Sequence, residues 1–166
     1  MAELTANERA ALARIELLEA PGRLRAMIAN ARRQGASAVE AAAFRRLCHV
    51  QPEATPGTVE HDVWQSIHAL EQMLREERGK TVRLSRTRQK IARDGAAKAA
   101  ADLTLKRTPS EGFHQLVAKG HPELLFETVV LRHPKTFDAE VTRAARARLE
   151  TAGLDPDTLM QANNGG

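Results

Sequence analysis

Arg83, Arg86, Lys90 and Arg93 recur at steps of three, four and three. On a helix that spacing places all four on one face, where like charges repel by roughly a few tenths of a kcal/mol per pair. A polyanion relieves the repulsion, and nucleic-acid phosphate is the commonest one. Arg88 falls in the same stretch, and Ser85, Thr87 and Gln89 add neutral groups suited to phosphate or base edges. Arg83, Arg86, Arg88, Lys90 and Arg93 are therefore the candidate nucleic-acid-binding residues. The competing readings are a solvated basic face, or neutralisation within the molecule by the acidic segment from Glu60 to Glu77.

Other constellations carry less chemistry. His61 and His68 lie seven apart on one predicted helix with Glu71 three further on, so the three could share a face. A metal site needs three or four convergent ligands, and this spacing is much looser than a metal-binding helix motif; no metal or cofactor is expected. Cys48 and His49 are adjacent, but neighbours on a helix point about 100° apart, which gives no thiol–imidazole pair. Cys48, beside Leu47 and Phe44, reads as a small core residue. Gly79-Lys80-Thr81 imitates the end of a phosphate-binding loop, yet Leu74 stands where the first glycine belongs, and a helix precedes it instead of a strand. A helix-turn-helix fits best around Ala31, Gly35 and the helix carrying Arg45 and Arg46, but Gln34 occupies an expected apolar position. No serine sits in a nucleophile elbow, and no carboxylate pair stands apart from capping and surface acids. The expectation is a protein without catalytic residues.

The charge is segregated. From Gln51 to Gly79 six acids face two bases, a net −4, whereas from Lys80 to Arg107 nine bases face two acids, a net +7. The chain as a whole carries only +4, so the basic block says more about partners than the total does. Absence of tyrosine and an aromatic share of 3% argue against base-stacking modules. No apolar run approaches the roughly 20 residues of a membrane span, and the acids within Met1–Ala20 are unlike a signal or transit peptide. One cysteine cannot form an internal disulfide, which makes a cytoplasmic setting the expectation.

The elements that must position these residues are helical. Thr5 with Glu8 makes a capping box for a helix to about Ala20, broken by Pro21-Gly22. Leu24, Met27, Ile28 and Ala31 form a second apolar stripe ending near Gly35. Ser37 can cap a third helix bearing Val39, Ala43, Leu47 and Val50. Residues 51–57 form a Pro- and Gly-containing loop. Thr58 then caps a helix whose seam runs through Val59, Val63, Ile67, Leu70 and Leu74, stopping at Gly79. The basic stretch is predicted as a helix over Thr81–Arg93, followed by the alanine-rich Ala96–Leu105. Thr108-Pro109-Ser110-Glu111 marks another start. Leu124–Leu131 suits a helix or a strand; Thr136 or Asp138 opens a last substantial helix closed by Gly153, and Asn163–Gly166 reads as a frayed tail.

The predicted fold is all-α, a compact bundle of about six to eight helices with an N-terminal helical arm. Residues 1–50 form the hairpin or arm, 58–154 the main bundle and 155–166 the tail; one shared core is favoured over two. The expected function is a small intracellular, non-enzymatic, nucleic-acid-associated protein that grips phosphate through the basic helix. The alternative is a protein–protein interaction adaptor meeting an acidic protein surface, with no membrane partner. The N-terminal helices leave room for homo-oligomerisation.

Overall fold

The caps read from the sequence set most of the helix boundaries. The computed structural model describes residues 3–163, and among them every regular element is helical. Ten α-helices run α1 Ala6–Ile15, α2 Pro21–Gln34, α3 Ser37–Val50, α4 Val59–Arg78, α5 Ser85–Asp94, α6 Ala96–Leu105, α7 Glu111–Ala118, α8 Phe126–Arg132, α9 Ala139–Thr151 and α10 Pro156–Asn163. A 3-10 turn spans Pro122–Leu124. Two helices beyond the expected six to eight come from segments with local support that the pattern understates. The ambiguous run at 124–131 coils because Val129 N–H reaches Leu125 O and the Thr128 hydroxyl reaches Pro122 O. The expected tail coils as α10 because the Asp155 carboxylate accepts from Asp157 N–H and the Thr158 hydroxyl, with Pro156 preset for a first turn. Residues 164–166 of the expected frayed tail lie outside the described residues.

The chain divides into two compact units, residues 1–53 and 54–166. In the first, α3 packs on both α1 and α2, burying Ile15, Leu24, Ile28, Val39, Phe44 and Leu47. Thr5 and Glu8 form the reciprocal capping box, with bonds of 3.1 and 2.7 Å. The first helix is shorter than its apolar stripe suggests. The chain turns after Ile15, Leu17 N–H and Leu18 N–H bonding three residues back. Arg46 Nε donates to Leu18 O at 2.8 Å and pins that turn. The third helix starts at Ser37 itself, with Ala36 as a cap that offers no side-chain bond.

In the second unit, Val63 and Ile67 of α4 meet Ile91 of α5, Ala100 of α6, Val129 and Val130 of α8, and Val141 and Ala145 of α9 in one apolar cluster. Thr58 caps α4 by accepting from His61 N–H, and Gly79 ends it in the left-handed region at φ 69°. The helix after Pro109 is capped by Ser110, two residues later than Thr108-Pro109 implies. It lies close on α4: a Cβ at Gly112 would stand 2.9 Å from Leu70 Cδ1. Cys48, in the first unit, is fully buried.

Candidate functional site

The predicted basic helix starts four residues late. Thr81–Leu84 is not helical, and α5 begins at Ser85. A single carboxylate on α4 holds the residues at that start. Glu71 Oε1 accepts from Leu84 N–H at 2.7 Å and from Arg88 Nε at 2.7 Å, while Oε2 accepts from Arg88 Nη2 at 2.7 Å. Arg88 also lies over the Trp64 ring, 5.1 Å from its centre. Burial pushes Glu71 upward in pKa, but hydrogen bonds from Arg88 and Leu84 and the guanidinium charge outweigh it and hold Glu71 below its ordinary value. Arg88 in turn is raised by its bond to Glu71.

The remaining cations fare unequally. Lys90 Nζ sits 2.9 Å from Asp102 and 3.1 Å from Asp94, and these two bonds raise its pKa. Arg93 shares Asp94 at 3.2 Å but its side chain is 68% exposed, so it still faces water. Arg83 and Arg86 are exposed and make no ion pair among the described residues. The expected single face of Arg83, Arg86, Lys90 and Arg93 is thus corrected: Arg83 is off the helix, and Arg88, Lys90 and Arg93 are engaged by native carboxylates. Asp94 lies on α5 itself, within reach of Lys90 and Arg93 by spacing alone, whereas docking of α5 beside α4 and α6 brings Glu71 and Asp102, which spacing along one helix does not reveal.

His61 and Glu71 do not form a metal centre with His68: Glu71 is committed to Arg88, and among the described residues no cluster of three potential ligands is assembled. Asp62 instead ties α4 to the end of α8, its carboxylate lying 2.6 Å from His133 Nε2 and 3.5 Å from Arg132 Nε. Burial of Arg132 lowers its pKa against the opposing pull of Asp62 and Glu123.

A second surface was not foreseen from the sequence. Because α7 packs on α4 and the 3-10 turn, it leaves a gap to α9 that the linker 106–109 borders. The result is an open groove of about 580 Å³. Leu105, Pro109, Phe113 and Val117 line one side, and Ala144 and Ala147 of α9 line the other. Alanines at those two positions leave the space that larger side chains would fill. Lys106, Arg107 and His114 are exposed at the edge, and no Asp or Glu lines the groove.

Arg148 builds the floor. Its Nη1 donates to Leu103 O at 3.1 Å and to Glu127 Oε1 at 2.9 Å, and Nη2 donates to Lys106 O. Carbonyls at the end of α6 lack intrahelical donors, and a guanidinium satisfies both their hydrogen bonding and their partial negative charge. One largely covered side chain therefore ties the end of α6 and the linker to α9, and α9 to α8. Leu105, just before the linker, is held outward at 42% exposure. No helix among the described residues is long and apolar enough to cross a membrane. Compared with known proteins, the chain matches no family model, no curated protein and no solved structure.

Proposed function

We propose that the protein is a non-enzymatic interaction adaptor whose second unit binds an acidic, leucine-like segment of a protein partner in the groove between α7 and α9. The observation that carries this reading is the groove's composition: apolar walls, Lys106, Arg107 and His114 at the edge, and no lining carboxylate. Apolar burial supplies affinity, and the cationic edge selects partners whose apolar knob is flanked by Asp or Glu. The test is anisotropy with labelled peptides containing Glu-Leu-Leu-Glu or Lys-Leu-Leu-Lys, at about 50 and about 300 mM salt. The acidic peptide binds and the basic one does not. Lys106→Glu with Arg107→Glu weakens binding by roughly tenfold or more, about 1.4 kcal/mol. Equal binding of both peptides, or indifference to the charge reversal, overturns the reading.

A second reading rests on Arg83 and Arg86, which are exposed and, among the described residues, without ion pairs, beside the acid-free first turn of α5. These two, with Arg93 half-open and Arg88 and Lys90 behind them, support nucleic-acid phosphate contact. Two open cations give a salt slope of about −2 in log K against log salt, well short of the roughly −4.5 that all five cations would give. A titration with duplex and single-stranded DNA and RNA separates the readings. Binding lost on Arg83→Gln with Arg86→Gln supports phosphate contact, and no binding at low salt removes it.

A further inference from the structure

We infer that the acidic segment is supplied by the chain itself: residues 16–19 of a second copy enter the groove. This inference rests on the adaptor reading and names the occupant of the same site.

Leu17 is the most exposed large apolar residue among the described ones, at 84%, where an apolar side chain has nothing to gain from water. Glu16 and Glu19 flank it and are both exposed. The segment Glu16-Leu17-Leu18-Glu19 therefore carries the chemistry that the groove lacks: an apolar knob with a carboxylate on either side. It is also held ready. Ile15 is buried at one end of the turn, and Arg46 fixes Leu18 O at 2.8 Å, so Leu17 projects from a pinned backbone instead of a loose one. Pre-ordered segments lose less freedom on docking.

In this arrangement Leu17 packs beside Leu105, Phe113 and Val117, and Glu16 and Glu19 face Lys106 and Arg107. The contact is heterologous, knob to groove, and each copy carries one of each. A patch this small gives weak association, with a Kd on the order of 100 μM.

Sedimentation equilibrium of the full chain, from about 10 μM to about 1 mM, tests the inference. The expected result is a mass that rises with concentration and falls back toward monomer at about 500 mM salt. Leu17→Glu, at a site outside the core, and Lys106→Glu with Arg107→Glu, at exposed sites, each abolish association while thermal melting stays within about 2 °C of wild type. Mixing the two variants is decisive. The first retains an intact groove and the second an intact knob, so the mixture forms a 1:1 complex although neither variant associates alone. A wild-type chain that remains monomeric throughout, or a mixture that does not combine, overturns the inference. A monomer that still binds the Glu-Leu-Leu-Glu peptide removes self-association alone and leaves the adaptor reading in place. Loss of both removes both.

Discussion

Replacing Glu71 by Gln isolates the interaction that both neutralises Arg88 and ties the start of α5 to α4. Glu71 receives three hydrogen bonds at 2.7 Å, two of them from the Arg88 guanidinium. Glutamine keeps one acceptor oxygen but presents an amide N–H₂ toward a second guanidinium donor, so one bond is lost and one contact becomes repulsive. The side chains are 12% and 22% exposed, between a surface pair worth up to about 1 kcal/mol and a buried pair whose disruption costs about 3–5 kcal/mol. The expected loss is about 2 kcal/mol. For a unit of this size that corresponds to a fall in Tm of roughly 6–10 °C.

Trp64 provides the assay. The chain has one tryptophan and no tyrosine, and Arg88 lies 5.1 Å from the Trp64 ring centre, so emission reports directly on the α4–α5 contact. Glu71→Gln shifts Trp64 emission in the folded protein, before the main transition, and lowers the transition itself. The pH dependence follows from the depressed Glu71 pKa. A carboxylate held below its unfolded value contributes fully above that value, and its contribution disappears as pH falls through the folded one. The gap between wild type and Glu71→Gln is therefore constant near neutrality and closes in acid. A variant with unchanged emission and a Tm within about 1 °C of wild type at pH 7 refutes the assigned role of Glu71.

Arg148→Met strands the Glu127 carboxylate, 5% exposed, and bares the carbonyls of Leu103 and Lys106. It is expected to destabilise the second unit by about 3–5 kcal/mol in denaturant titration, and adding Glu127→Gln recovers part of that; a loss under about 1 kcal/mol contradicts the anchoring role. Gly79→Ala meets no neighbour within 4 Å, yet sits at φ 69°, so only backbone strain acts, costing about 1–2 kcal/mol. Unchanged or raised Tm in calorimetry argues against a left-handed cap there. The groove reading and the knob-to-groove association carry their own outcomes: a tenfold or greater loss of acidic-peptide binding on reversing Lys106 and Arg107, and a 1:1 complex from two variants that are each monomeric.

The all-helical class was legible because its determinants are local. Thr5 with Glu8, Thr58, Gly35, Gly79 and Asp138 act on backbone groups within a few residues of themselves, and those bonds depend on nothing distant. The seam of α4 was legible too, since an apolar period of three to four marks a buried face wherever the helix docks. The start of the basic helix slipped from Thr81 to Ser85, at a junction where Glu71, 13 residues upstream, accepts from Leu84 N–H. Charge fate was equally non-local. Spacing alone put five cations in one stretch and set Asp94 beside Lys90 and Arg93, but docking gave Arg88 and Lys90 further partners 17 and 12 residues away, on α4 and α6. The groove lay furthest from reach, being a gap between α7 and α9 whose floor rests on Arg148 bonding across 21 to 45 residues. Helix identity belongs to the chain because its bonds close over three or four residues. Exposure, neutralisation and concavity belong to tertiary structure, because each is set by what another helix places alongside.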